Sequence, residues 1–351
     1  MRRGLISWSK AELPAEVLDA RMARTQAAMP EAGIDVLAVY TNPSRTSGVS
    51  WLSGFVPYWN HGVLVVPAKG AHTFVGGFSH RVNDWMKRTS NLDAIVHSPR
   101  LGSESAKVIG AFKQGATVAI PDLDTVPASV VEGIAESGAR VIDGTGFFAQ
   151  LRAAADPSEL ALAFRAAHIA HGALARIDLG QTDGASVAAQ VDGEARRAGA
   201  EEVYIGVAAD LAKSRTPVRL EGTAALGAIY ALRISLAYKG TWVRMTRTVS
   251  RDRGADAAIA TAIEQLAAAT ARLPDTADFG FRSWLIEGCR STQPFEPFAG
   301  SVVTEALGIA PGMIVSVQAA IDTPAGTILA AAPALVGRNE EGAALLVPPV
   351  F

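Results

Sequence analysis

The 351-residue chain is poor in the groups that most often do chemistry. It has one cysteine, Cys289, so an internal disulfide framework and a cysteine-based zinc site are both excluded. Its six histidines all lie at or before His171, which leaves the last half of the chain with no imidazole. No apolar run approaches the ~18 residues that cross a bilayer. The start, MRRGLISWSK, carries charge but no apolar core, so no secretory signal is expected there. Net charge is -2, without the basic excess that nucleic-acid binding needs. There is no phosphate-binding glycine loop, no dinucleotide fingerprint and no Ser-His-Asp order. A cytoplasmic protein with neither a nucleic-acid nor a membrane partner is the expectation.

What the chain does have is apolar content, 49% of residues, enough for real cores. Residues 15–33 show a helical apolar stripe ending near Gly33, and IDVLAVY (34–40) reads as a short buried strand. GVLVVPAKGAHTFVGG (62–77) reads as strand, turn, strand. Strands and helices alternate to about residue 145, which predicts an α/β domain over 1–150. The second part, 151–351, opens with a long helix from about Ser158 to Asp178, started by Asp156-Pro157. A helix at about 185–198, a third at about 254–271 and several apolar runs predict an α+β arrangement. ALRISLAYKGTWVRMTRTVS (231–250) reads as a hairpin broken at Lys239-Gly240. Arg233 and Arg244 stand inside its apolar runs, where a charge is costly unless it is paired or has a task.

Four collinear stretches resemble the creatinase / aminopeptidase P / prolidase family. GIDVLAVYTNPSRTSGVSWLSGF (33–55) resembles the opening of its N-terminal domain. LRAAADPSELALAFRAAHIAHGAL (151–174) resembles its linker and first catalytic-domain helix. YKGTWVRMTRTVS resembles its Gly-Tyr-x-x-Asp-x-x-Arg-Thr hairpin, and APGMIVSVQAAID (310–322) its Pro-Gly-Met turn and strand. The resemblance implies a pita-bread C-terminal domain behind a smaller N-terminal α/β domain, normally as a dimer. A homodimer, or a heterodimer with an intact relative, is expected.

The peptidases of that family hold two divalent metals with two Asp, one His and two Glu. Aligned on the hairpin, the two Asp positions fall on Arg233 and Arg244. Aligned on Pro311-Gly312-Met313, one Glu position falls on Gln318, and the other falls near Ala331. The His region falls around Gly288. Two arginines would repel the ions. No metal and no cofactor are therefore expected, and no Xaa-Pro peptidase activity. The creatinase branch works without metal, through a shuttle histidine and a carboxylate that grips a cationic substrate. The matching positions here are Arg215 and Thr246, so that chemistry is equally unsupported.

The replacements share a sign. In one reading, Arg215, Arg233, Arg244, Arg247 and Gln318 bind an anion, since arginine's planar fork suits carboxylate or phosphate. In the other, the arginines pair with acids such as Glu221, Glu287 or Glu296 and fill an inert site. Glu296, in PFEPF, is a candidate acid or base. FVPYWNHG (55–62) adds His61 as a candidate base and Tyr58 and Trp59 as substrate contacts, or else an aromatic turn at an interface. Cys289 lacks a histidine in its half of the chain. His168 and His171 share a face of the long helix and read as surface residues. The functional expectation is a metal-independent, creatinase-like hydrolase or lyase of a small anionic C–N bonded substrate. The alternative is an inert pseudoenzyme acting as a ligand-binding or partner subunit.

Overall fold

The computed structural model describes residues 9–57, 59–274, 279–288, 308–337 and 342–350. These residues form two compact units, with the changeover between Arg152 and Ala153. None of their helices is long and apolar enough to cross a membrane.

The N-terminal unit is built on a six-stranded sheet. Its strands are β1 (Val36–Thr41), β2 (Gly62–Pro67), β3 (Thr73–Gly76), β4 (Ala94–His97), β5 (Thr117–Ile120) and β6 (Arg140–Asp143). Their spatial order is β4-β3-β2-β1-β5-β6, with β1, β5 and β6 parallel and the β1-β2-β3 meander antiparallel. Helices α1 (Ala15–Ala28), α2 (Ser47–Ser53), α3 (Asn83–Arg88), α4 (Leu101–Phe112), α5 (Ala128–Ala135) and α6 (Thr145–Leu151) accompany it. Two apolar clusters hold the unit, as expected for a sheet whose strands are buried on both faces. One gathers Leu37, Leu64 and Phe74 with Trp51 and Phe148, and the other gathers Val36, Val65 and Val118 with Ile109 and Ile134.

The C-terminal unit starts with α7 (Pro157–Ala175). Asp156 caps it by accepting the Glu159 N–H at 2.8 Å, with proline in the first turn. α8 (Gly184–Arg197) is capped the same way by Asp183, and α9 (Asp256–Thr270) follows later in the chain. The sheet comprises β7 (Glu202–Ala208), β8 (Ile229–Tyr238), β9 (Thr241–Ser250), β10 (Ser283–Gly288), β11 (Ile314–Thr323), β12 (Gly326–Leu335) and β13 (Ala344–Leu345). The order is β10-β11-β12-β9-β8-β7, with β13 beside β12. The β8–β9 hairpin turns through Lys239 (φ 49°) and Gly240 (φ 76°), the left-handed pair that a two-residue hairpin loop requires.

Strand alternation gives this sheet two different faces. On one face, Leu232, Ile234, Val243 and Met245 pack under Ala163, Ala166, Ala170 and Leu174 of α7. Val315, Val317, Ile328 and Ala330 pack under Ile259, Ala262 and Leu266 of α9. The alanine-rich helices thus lie close on a branched apolar sheet. The residues between those positions point to the opposite face.

Candidate anion-binding site

One continuous register row crosses that opposite face. Gly206 of β7 pairs with Arg233 of β8, and Arg233 with Thr246 of β9. Thr246 pairs with Ala331 of β12, Ala331 with Gln318 of β11, and Gln318 with Leu285 of β10. Four residues far apart in sequence, at 233, 246, 331 and 318, therefore stand on one line. Thr246 and Ala331 are small, and they separate the two long side chains of Arg233 and Gln318.

Two residues along each strand lies a second polar group. Arg244 faces Ser235, and Glu287 faces Ser316. Arg244 Nη1 donates to Glu287 Oε1 at 2.7 Å and to Oε2 at 2.5 Å, while its Nε donates to Ser235 Oγ at 2.9 Å. Both partners are buried, Arg244 at 1% and Glu287 at 0% exposure. The arginine reaches across β12 and β11, over Pro333 and Ser316, to an acid on β10. Gln318 Nε2 donates to the same Glu287 Oε2. Burial pushes the Glu287 carboxyl up, and the charges of Arg244 and Arg233 act against that rise. A buried ion pair of this kind contributes little net stability, but leaving either partner alone is expensive.

A cavity of about 490 Å³ opens above the first row, lined by Arg215, Arg233, Thr246, Arg282, Trp284 and Gln318 among others. Its described lining holds three arginines and no acid. Arg233 is half-buried at its edge. Burial, helped by the nearby Arg244 charge, pushes its guanidinium down to about 10, with Glu287 opposing. Arg215 is exposed on the segment between β7 and β8. That segment is tied down where Val207 N–H donates to Val218 C=O at 2.8 Å and Val218 N–H returns a bond of 3.0 Å. Gly206 permits the close approach, because a Cβ there would sit 3.2–3.3 Å from Pro217. Arg282 donates through Nε to Asp322 at 2.8 and 2.9 Å, and Trp284 is 36% exposed.

Of the sequence-predicted residues, Arg215, Arg233 and Gln318 meet at this cavity. Arg244 does not line it. Its fork is consumed by Glu287 and Ser235, so the pairing alternative holds for this residue. Arg247 is also corrected. It alternates to the helix-covered face, where Nη1 donates to the Leu174 carbonyl at 2.6 Å, and burial lowers its pKa. Trp59 and His61 lie in the N-terminal unit. Trp59 stacks on Trp85 with centroids 5.4 Å apart, and His61 Nδ1 lies 3.1 Å from the Tyr40 hydroxyl. Tyr58, Glu296 and Cys289 lie outside the described residues. Arg282 and Trp284 went unnoticed in the sequence.

The divalent pair that the resemblance implies does not fit these residues. The five aligned positions offer two guanidinium groups, an amide, a methyl group and a glycine, whereas such ions require carboxylates or imidazoles. Glu287, a buried acid on β10, accepts from Arg244 through both oxygens and from Gln318 as well. Among the described residues no group of three or more His, Cys, Asp or Glu is placed to hold a metal.

The C-terminal unit is a pita-bread-like sheet with its helices, and the N-terminal unit is a smaller α/β domain. Residues 21–154 match the Creatinase/Prolidase N-terminal domain family. The whole chain shares the fold of a Xaa-Pro dipeptidase from Bacillus anthracis, with a TM-score of 0.70 at 19% identity over 95% of this chain and 99% of that one. A dipeptidase, PepE, from Mycobacterium ulcerans gives 0.70 at 21% identity over 96% and 98%. A prolidase from Pyrococcus horikoshii gives 0.70 at 17% over 94% and 98%. No curated protein matches by sequence.

Proposed function

We propose that this chain is a non-metallic member of the prolidase-like fold that binds small carboxylates and does not turn them over. The observation that carries the reading is the cavity lining, in which Arg215 and Arg233 stand with no acid among the described residues. Arg282 donates to Asp322, and Arg215 and Arg233 are the other two guanidinium groups of the described lining. Charge-assisted bonds from arginine to a carboxylate are the strong ones. A metal-independent hydrolase or lyase would need an acid or base at the cavity. Among the described residues, Glu287 is bonded to the lining residue Gln318, and protonating it would strip Arg244 of its buried counter-charge. The reading is therefore a binding site and not a reaction centre, in contrast to what the names of the similar peptidases describe.

Calorimetry with propionate, inorganic phosphate and tetramethylammonium tests it. Propionate should bind, and tetramethylammonium should not. Arg215→Ala, an exposed change, should weaken propionate about tenfold, the scale of one hydrogen bond to a charged group. Absence of anion binding at millimolar concentration, or unaltered binding by Arg215→Ala, refutes the site. Product formed from Xaa-Pro dipeptides or creatine by the purified protein refutes the absence of turnover.

A further inference from the structure

We propose that His80 and His97 of the N-terminal unit hold one transition-metal ion of tetragonal preference, copper(II) above nickel(II), with solvent completing its coordination. Neither residue lines the cavity or belongs to the five aligned positions, so the proposal is independent of the carboxylate reading.

The sheet brings the two histidines together. β3 and β4 are parallel, and their last pair is Gly76 with His97. Just past the end of β3, Ser79 accepts the Arg81 N–H and starts a single 3-10 turn, His80–Val82. The first residue of that turn therefore comes beside the last residue of β4. The two imidazole centroids are 4.3 Å apart, with their planes inclined at 54°.

His97 is prepared as a ligand. A backbone carbonyl only accepts, so the Nδ1 that lies 3.1 Å from the Phe78 oxygen carries the proton. In the neutral ring Nε2 then holds the lone pair. That atom is buried, and among the described residues nothing donates to it. A buried acceptor left so is costly, and a metal ion satisfies it. A bond from the other ring nitrogen to a carbonyl is also what orients the histidines of metal sites. Burial, helped by the His80 charge, holds His97 below the ordinary imidazole range, so the lone pair is open at neutral pH. His80 is exposed, and among the described residues neither of its ring nitrogens makes a hydrogen bond, so its ring can turn to meet the ion.

The ring separation selects the ion. An ion about 2.0–2.1 Å from an imidazole nitrogen lies roughly 3.2 Å from that ring's centroid. Centroids 4.3 Å apart then subtend about 85° at the ion. That is close to the angle between neighbouring ligands of square-planar or tetragonal copper(II) and nickel(II). The tetrahedral angle that zinc takes needs centroids roughly 5.2 Å apart. Copper(II) binds nitrogen ligands most tightly of the divalent series and manganese(II) least.

Calorimetry with the chlorides of copper(II), nickel(II), zinc(II) and manganese(II) tests the site on the full chain. Copper(II) should bind most tightly, and its electron paramagnetic resonance spectrum should show coupling to two nitrogens. His80→Ala alters an exposed side chain and should weaken copper(II) binding about tenfold or more, at least the cost of losing a supporting bond. His97→Gln should do the same, with its fold checked by its thermal transition. His168→Ala, on α7, should leave binding unchanged. No copper(II) binding, or equal binding by wild type and His80→Ala, overturns the site. Loss of binding in His168→Ala alone places the ion elsewhere and also overturns it. Coupling to fewer than two nitrogens refutes the paired ligands, and zinc(II) binding tighter than copper(II) refutes the tetragonal assignment.

Discussion

Arg244 and Glu287 meet at 2.5 and 2.7 Å with essentially no solvent exposure, joining β9 to β10 across two intervening strands. This pair stands where a charged residue in an apolar strand looks most misplaced in the sequence. It also fixes what its neighbours do, because Gln318 takes its orientation from Glu287.

Breaking the pair from one side should be costly. Glu287→Leu or Arg244→Met alone should destabilise the fold by about 3–5 kcal/mol, since each strands a buried charge. The double variant should recover most of that loss. Denaturant unfolding of the three variants measures it, and additive single losses would show that the two residues do not act as a unit.

Burial of the Arg233 guanidinium bears on stability. Its guanidinium is pushed down to about 10, so the unfolded chain holds the proton more tightly than the folded one does. Below pH 10 the folded state therefore bears the cost of a desolvated charge, and it regains stability as pH rises above about 10. Arg233→Met should raise stability at neutral pH by about 1–3 kcal/mol while carboxylate binding is lost. The stability difference between variant and wild type should narrow above pH 10. A variant less stable than wild type at pH 7 would contradict this.

The N-terminal unit should weaken in acid. His72 is buried, with Nδ1 2.8 Å from Asp93 Oδ2. Desolvation lowers its pKa despite that acid, so the unfolded state takes up the proton first. The stability in question is complete above about 6.5 and is lost as pH falls towards the folded-state value. His72→Gln should flatten the pH dependence of the thermal transition below 6.5. An unchanged acid slope would exclude His72 as its source.

Gly206 positions Arg215 by close approach. Gly206→Val should push the Pro217 segment outward and weaken propionate binding several-fold, because the added Cβ meets Pro217 at 3.2 Å. Calorimetry would read the change, and wild-type affinity in this variant would show that the segment adapts freely.

Manganese and cobalt should not matter to the fold. Manganese, cobalt or a chelator should leave the thermal transition within about 1 °C, because a ligand that binds only the native state raises it measurably. A concentration-dependent rise with manganese would contradict the reading of the five aligned positions.

Much of the architecture was legible in the sequence, because its signals are local. Asp156-Pro157 marked the start of α7, and Lys239-Gly240 marked the β8–β9 turn. The collinear motifs pointed to the fold and to Arg215, Arg233 and Gln318. What the sequence did not resolve was the partition of the arginines. Arg244 and Arg247 differ by three residues, so strand alternation sends them to opposite faces, and only the pairing of β10 with β11 brings Glu287 within reach of the first. The sequence named Glu287 as one partner among three. Arg282 and Trp284 were missed because their role depends on a long-range register that no local pattern encodes.

The crossed ion pair also constrains single substitutions at either of its ends. To put an acid at position 244 while Glu287 remains would bury two facing carboxylates, and to change Glu287 first would maroon Arg244. Either intermediate forfeits about 3–5 kcal/mol from a fold whose whole margin is typically about 5–15. A lineage that acquired this pair holds a ratchet. Substitutions can widen or retune the arginine-lined cavity, but placing carboxylates at both positions passes through intermediates that are less stable by that amount.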